Sequence, residues 1–347
     1  MRILMLSTGG TIAAVRKEDG LSISMTGDEL IRLCPEISKF RHEFEIRSLF
    51  VKGSSNISPE DWIFMARSIL EHHGNFDGLV ISHGSDTLAY TASALSYLLL
   101  DFSKPVVVTG SMLPPGFPGT DAGRNLYSAL SFASALASRK RAGVAVAFSG
   151  RLMHGPRSSK VNSWRKDAFD SMDYPDLGRM MGEEAVLSEK SPFLERSCAR
   201  LCDGSLEKNI AFVSLFPGCS PSYFDLAMQN SPKAVVLEGF GLGGILLTFF
   251  DSVKRALDSG VPVFVRTQVP YGGVDLPPYE LGRKMLSLGI TPLNNMTKES
   301  MVPKLMLLGA HLEGASLKEA MLRNFCDDIF DFERIHSEGA WRFCGKD

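Results

Sequence analysis

Met1-Arg2-Ile3-Leu4-Met5-Leu6-Ser7-Thr8-Gly9-Gly10-Thr11-Ile12 runs from a short apolar stretch straight into a glycine pair. The run Ile3 to Leu6 predicts a buried strand. Gly9 and Gly10 allow a sharp turn and a close approach of backbone to a ligand. The Thr11 hydroxyl then falls at the carboxyl end of the strand, the edge where open α/β sheets hold their ligands. In isolation an ordinary βα turn reads the same way, so the later strands decide.

They repeat the pattern. Phe44 to Val51 predicts a strand that leads into Gly53-Ser54-Ser55-Asn56. Ser58 is a fitting N-cap with Pro59 at the first helical position, which places Ser54 and Ser55 on the strand-to-helix turn. Gly78 to Ser82 predicts a strand ending in His83-Gly84-Ser85-Asp86-Thr87, ahead of a helix over Leu88 to Leu100. Lys104 to Thr109 ends in Gly110-Ser111 and is followed by a helix starting near Asp121, and Ala142 to Phe148 is a fifth strand. Apolar strands alternating with helices predict an α/β fold: a doubly wound, mostly parallel sheet with helices on both faces. Helical crossovers set the strand ends on one edge, so Thr11, Ser54, Ser85 and Ser111 are expected to converge.

A chain of 347 residues suits two domains. The expected division is a larger N-terminal α/β domain over 1–190, a linker over 191–207 and a smaller α/β domain over 208–347. Met153 to about Lys208 is irregular and charged and reads as a crossover plus linker. Beyond it, Ile210 to Leu215, Ala234 to Leu237 and Val261 to Arg266 predict strands, and Tyr279 to Gly289 and Thr297 to Leu308 predict helices. Ala13 to Met25 reads either as a surface excursion or as a flap over a site. Thr26, with Glu29 three residues on, reads as a helix cap.

Composition excludes several classes. A formal net charge of −2 gives no global pull toward nucleic acid or membrane. The cluster Arg139-Lys140-Arg141 follows a helical pattern and reads as a solvated helix end. Six scattered cysteines in a chain this long argue against a disulfide framework and for a reducing, cytoplasmic location. The Cys198–Cys202 spacing has no second ligand pair nearby, so a metal site is not expected there. No apolar stretch is long enough to span a bilayer.

Thr8-Gly9-Gly10-Thr11-Ile12 and His83-Gly84-Ser85-Asp86-Thr87, joined by Gly53-Ser54-Ser55-Asn56, Thr109-Gly110-Ser111-Met112 and Arg157-Ser158-Ser159-Lys160, resemble the bacterial-type L-asparaginase family, the threonine amidohydrolases. Glu238-Gly239-Phe240-Gly241 and Asn295-Met296-Thr297-Lys298-Glu299 are similar to its cytoplasmic, type I branch. The resemblance implies that Thr11 is the nucleophile, supported by Ser85, Asp86 and Lys160. It implies that Ser54 and Ser55 grip the α-carboxylate and α-amino end of the substrate, with Asp86 on the ammonium. Ser111 would help the developing oxyanion through its backbone N–H. It further implies L-asparagine as substrate, no metal or cofactor, and a homodimer or homotetramer with sites shared between subunits.

The chemistry stands on its own terms. A carboxamide is a poor electrophile, and a covalent intermediate divides its hydrolysis into two easier steps. Thr11 offers the hydroxyl but needs a base, and a lysine serves as one only where its pKa is lowered. Each residue also has an ordinary reading: Thr11 and Ser85 bonded to their helix turns, Asp86 an N-cap, Lys160 a surface lysine, Ser54 and Ser55 turn residues. Their joint occurrence at successive strand ends favours the chemical reading. His83 is assigned a structural role.

The sequence departs from the family pattern in three places. Ser85 replaces the usual threonine, keeping the hydroxyl and losing the methyl group. No tyrosine lies in Ala13 to Met25, which leaves Ser22, Ser24, water, Tyr271 or Tyr279 for the contact a flap tyrosine makes in many members. Leu242-Gly243-Gly244-Ile245 stands where some members carry an asparagine. Two other readings remain: the asparaginase-like subunit of an archaeal Glu-tRNA(Gln) amidotransferase, which usually has an extra domain before the first motif, and a non-catalytic amino-acid-binding relative. A nucleotide-binding enzyme is disfavoured, because neither Gly-x-Gly-x-x-Gly nor a Walker-type loop follows the first strand.

Overall fold

Strand β1 (Arg2–Gly9) alternates its side chains between two cores. Ile3 and Met5 enter one, Leu4 and Leu6 the other, and all four are fully buried. A strand lined on both faces needs a helix layer on each side, and the chain supplies both. The computed structural model describes residues 1–17, 20–23, 27–188 and 204–329.

After β1 come a short antiparallel pair, β2 (Ala14–Lys17) and β3 (Gly20–Ile23), and helix α1 (Gly27–Arg32). The predicted cap Thr26 lies outside the described residues, as does Ser24. β4 (Glu43–Lys52), α2 (Pro59–His72), β5 (Gly78–Ser82), α3 (Leu88–Leu98), β6 (Pro105–Thr109), α4 (Ala122–Ser138) and β7 (Gly143–Phe148) follow the predicted order. Ser58 and Asp61 form a reciprocal capping box at the start of α2, with Pro59 inside the first turn. Trp62, Met65 and Ile69 of α2 pack with Leu88 and Leu95 of α3 on one face of the sheet. Leu126, Leu130 and Phe132 of α4 pack with Leu30 of α1 on the other. The basic cluster at Arg139 follows the end of α4, with Arg139 and Lys140 exposed.

The region from Met153 to Lys208 corrects the sequence reading. Instead of an irregular crossover, it holds β8 (Arg151–His154), β9 (Ser158–Lys160), β10 (Phe169–Ser171), β11 (Gly178–Met181) and β12 (Glu184–Leu187). Ser149 and Gly150, with φ of 50° and 76°, turn the chain back so that β8 runs antiparallel to β7. Gly182 reverses β11 into β12 in the same manner. The eight-stranded sheet therefore has the order β12-β11-β8-β7-β6-β5-β1-β4, parallel from β7 to β4 and antiparallel from β7 to β12. β9 and β10 form a separate two-stranded ribbon.

The smaller domain is a four-stranded parallel sheet of β13 (Ile210–Ser214), β14 (Ala234–Gly239), β15 (Val263–Thr267) and β16 (Thr291–Pro292). Helices α5 (Ser222–Gln229), α6 (Phe250–Asp258) and α7 (Glu280–Leu288) cover one face through Phe224, Val253 and Met285. Helices α8 (Lys298–Gly309) and α9 (Gly314–Met321) cover the other through Met301, Leu305 and Leu317. The fold class is the predicted one, a larger mostly parallel sheet domain followed by a smaller α/β domain. Among the described residues no helix is long and apolar enough to cross a membrane.

Candidate active site

The ends of β1, β5 and β6 are packed backbone against backbone. A Cβ on Gly10 would come within 2.1 Å of the Gly84 Cα, and one on Gly84 within 2.7 Å of the Ser54 side chain. A Cβ on Gly110 would reach 2.4 Å from the His83 carbonyl oxygen. Gly10 also has φ of 82°, so glycine is required there twice over, for conformation and for space. Thr11 and Ser85, each one residue past that contact, therefore flank it. Thr11 is half-buried and begins a short 3-10 turn.

Ser54 is buried and tied to the same corner. Its Oγ accepts from the Asp86 N–H at 3.2 Å, and its carbonyl accepts from Thr87 Oγ1 at 2.6 Å. Ser55 is exposed beside it. Ser111 is wholly buried at the end of β6, and its Oγ has no hydrogen-bond partner among the described residues. A buried unpaired hydroxyl costs about 1–3 kcal/mol.

Lys160 comes from the ribbon rather than from the parallel sheet. Its ammonium donates to Ser85 Oγ at 2.9 Å and to Asp86 Oδ1 at 2.7 Å. The lysine side chain is 17% exposed and the Asp86 carboxylate 63%, so one partner is sheltered and the other faces solvent. An ion pair that open adds at most about 1 kcal/mol to stability.

His83 is enclosed and fully bonded. The Gly84 carbonyl can only accept, so Nδ1 carries the proton at 2.8 Å and Nε2 accepts from Thr91 Oγ1 at 3.0 Å. Thr91 Oγ1 in turn accepts from Trp62 Nε1 at 3.1 Å. Burial pushes the imidazole pKa down to about 4, against a smaller upward pull from the Gly84 hydrogen bond. A neutral histidine with both nitrogens engaged holds the strand end together and has no free nitrogen to act as a base.

Of the tyrosines considered for a contact to Thr11, Tyr271 gives its hydroxyl to Asp170 Oδ2 at 2.5 Å, and Tyr279 is 65% exposed. Among the described residues neither is bonded to Thr11. Cys34, Cys219 and Cys326 are buried free thiols, whereas Cys198, Cys202 and Cys344 lie outside the described residues. No group of three or more His, Cys, Asp or Glu among the described residues could hold a metal ion.

Residues 2–193 match the family model of the asparaginase N-terminal domain, and residues 209–321 that of the glutaminase/asparaginase C-terminal domain. The chain belongs to the asparaginase family. An L-asparaginase of Thermococcus kodakarensis is 39% identical over 95% of this chain and 99% of its own length. A glutamyl-tRNA(Gln) amidotransferase component from Pyrococcus furiosus is 33% identical over 96% of this chain and 77% of its own. The solved structure of the thermostable T. kodakarensis L-asparaginase superposes with a TM-score of 0.86 at 37% identity, covering 95% of this chain and all of that one. L-asparaginase I from Vibrio cholerae gives 0.81 at 27% identity, covering 95% and 99%.

In this asparaginase-family chain the structure brings Ser54, Ser85, Asp86 and Lys160 together at the Gly10–Gly84 contact that Thr11 follows, with Ser55 exposed next to Ser54 and Ser111 buried one residue past Gly110. Sequence reading names Glu299 within a family motif and Tyr271 as a candidate contact to Thr11, but does not foresee that both reach the Lys160 ribbon. Their signal lay only in pairing across more than a hundred residues, which local pattern does not carry.

Proposed function

We propose that the protein hydrolyses L-asparagine to L-aspartate and ammonia through an ester on Thr11. One observation carries this reading. Lys160, 75 residues on from Ser85, places its ammonium on both the Ser85 hydroxyl and the Asp86 carboxylate, next to the Gly10–Gly84 contact that presents Thr11. A pair whose carboxylate faces solvent adds little to stability, so chemistry accounts for it better than folding.

In the proposed reaction the Thr11 oxygen attacks the side-chain amide carbon while its proton passes toward Ser85 and Lys160. The tetrahedral intermediate collapses by breaking the C–N bond, and the leaving nitrogen takes a proton and departs as ammonia. Water then attacks the ester, restores the Thr11 hydroxyl and releases aspartate. Asp86 accepts from Lys160 and so orients it toward the Ser85 hydroxyl. Ser54 and Ser55 hold the α-carboxylate, Asp86 the α-ammonium, and the Ser111 N–H the oxyanion. With this reading go a cytoplasmic location, an assembly of two or four copies, and a division of the chain at 1–190, 191–207 and 208–347.

Ammonia release from L-Asn, L-Gln and D-Asn by the wild type, Thr11→Ala and Lys160→Ala tests the assignment. Wild-type turnover of L-Asn is expected, with a loss of at least ~10³-fold in kcat for Thr11→Ala. A fully active Thr11→Ala variant rules out the nucleophile. A wild type that binds L-Asn or L-Asp without hydrolysing any amide rules out the reaction.

A further inference from the structure

Lys160 sits on a ribbon that belongs to neither sheet and has only three residues in each strand. So short a pair has little stability of its own. Lysine also has a long flexible stem, so its ammonium is fixed only as well as its backbone is.

The register of the ribbon shows what fixes it. Lys160 is paired with Phe169 and Ser159 with Asp170. Alternation puts these two pairs on opposite faces. Lys160 and Phe169 turn to the N-terminal domain: the lysine reaches Ser85 and Asp86, and the ring packs at 4.6 Å on Phe148. Ser159 and Asp170 both bond to the C-terminal domain instead. Ser159 Oγ donates to Glu299 Oε1 at 2.7 Å, and the Tyr271 hydroxyl donates to Asp170 Oδ2 at 2.5 Å.

Further bonds anchor the same segments. Thr297 Oγ1 donates to the Pro156 carbonyl at 2.9 Å, and the Gly272 N–H to Asp173 Oδ2 at 3.0 Å. Glu299 lies in the first turn of α8, whose far end is buried in the smaller domain's core. It is therefore a rigid post, not a surface carboxylate.

We propose that Glu299 and Tyr271 are positioning residues for amide hydrolysis, acting through Ser159 and Asp170 to hold Lys160 against Ser85 and Asp86. The inference rests on the function proposed above. Neither residue needs to touch the substrate, because the ribbon transmits the constraint from one face to the other. Glu299 carries the larger share. It is the only side-chain partner of Ser159 among the described residues, whereas Asp170 is also held by Arg151 at 2.8 Å. Misplacing a catalytic group by about 1 Å can cost on the order of 100-fold, so partial release of the ribbon is expected to be visible in turnover.

The test compares Glu299→Ala, Glu299→Gln, Ser159→Ala and the Glu299→Ala/Ser159→Ala double variant by two readouts. The first is the rate at which an amine-acylating reagent labels Lys160, followed by peptide mass spectrometry. Lys104 is the internal reference, since its ammonium is held by the His73 and Phe76 carbonyls far along the sequence from the ribbon. Labelling of Lys160 is expected to rise severalfold in both alanine variants and no further in the double variant. Glu299→Gln, which keeps an acceptor oxygen, is expected to stay near wild type. The second readout is turnover, with an expected loss of about 10-fold in kcat and little change in KM.

Unchanged Lys160 labelling in folded variants overturns the positioning role. Changed labelling with unchanged kcat, or a loss confined to KM, overturns its link to the reaction. If Glu299→Ala fails to fold, Ser159→Ala removes the same bond from the other side. If the wild type hydrolyses no amide, the proposed function falls, and the labelling result still decides whether Glu299 holds Lys160.

Discussion

The parallel part of the larger sheet and the parallel smaller sheet offer their carboxyl-terminal edges in opposite ways. On the larger sheet the strand ends meet as glycine against glycine, with buried Ser54 and Ser85 and half-buried Thr11 next to that contact. On the smaller sheet Glu238 and Arg266, direct neighbours in the β14–β15 register, pair with each other and are 13% exposed. Ser214 adds a hydrogen bond to Glu238 at 2.8 Å, and Gln268 closes over the β13 and β14 ends through the Leu215 and Glu238 carbonyls. Sheet topology marks both edges as places for a ligand. Side-chain chemistry separates them: the smaller edge carries a charge pair whose Arg266 Nε is left without a partner among the described residues, while the larger edge is lined by glycines and small hydroxyl residues.

The contrast breaks most sharply at its glycines. Gly10→Ala is expected to cost about 3 kcal/mol or more and to remove activity, because the new Cβ meets Gly84 at 2.1 Å and φ is 82°. Gly241 on the other edge has φ of 49° but open space around its Cβ, so Gly241→Ala is expected to cost only about 1 kcal/mol. Urea unfolding of the two variants checks the pair. Equal losses would mean that the close packing of the larger edge is not what distinguishes it.

Acid gives a second test. His83 has a folded pKa of about 4 against an ordinary 6.5, so between those values the unfolded chain binds more protons than the native one. The His83 contribution is therefore expected to fall by up to roughly 3 kcal/mol as pH drops from about 6.5 to about 4, with buried His154, lowered to about 3, adding a loss of the same sign that continues below. Unfolding midpoints across that window, together with a His83→Gln variant whose slope is reduced, measure it. A flat profile would show that the imidazole is reached by water.

Ser111→Ala is the mildest change. It deletes a buried hydroxyl that has no partner among the described residues and leaves the backbone N–H in place. Activity is expected to stay within about 2-fold of wild type and stability to be equal or up to ~1 kcal/mol higher. A large loss of activity would assign the side chain a contact that the proposed reaction gives to the backbone.

What was legible in the sequence follows the same division. β1, β5 and β6 are apolar runs ending in small polar residues, a pattern set by burial on both faces and visible without a structure. The motif around Lys160 leads to expecting it near Ser85 and Asp86, to which it is bonded, and the place of His83 at the end of a buried strand leads to expecting a structural residue, which is enclosed. β8 to β12 were not legible, because three or four residues of mixed polarity become strands only through partners elsewhere. Ser149-Gly150 was the signal available there, a dipeptide suited to a tight reversal. The bonds from Glu299 and Tyr271 to the ribbon had no local signal, since each joins residues more than a hundred apart, 140 and 101 positions.

Arg157 has a consequence for synthesis on the ribosome. Its guanidinium is wholly buried and donates to the carbonyl oxygens of Met172, Asn295 and Asp328. The last of these is 171 residues downstream. At ordinary translation speeds of about 5–20 residues per second, roughly 10–30 s pass before that acceptor has been made. For most of that interval the Met172 carbonyl, 15 residues away, is the one of these three acceptors already made. The full set of acceptors around Arg157 therefore exists only once the chain has reached Asp328, which also accepts from Lys304 and Tyr97.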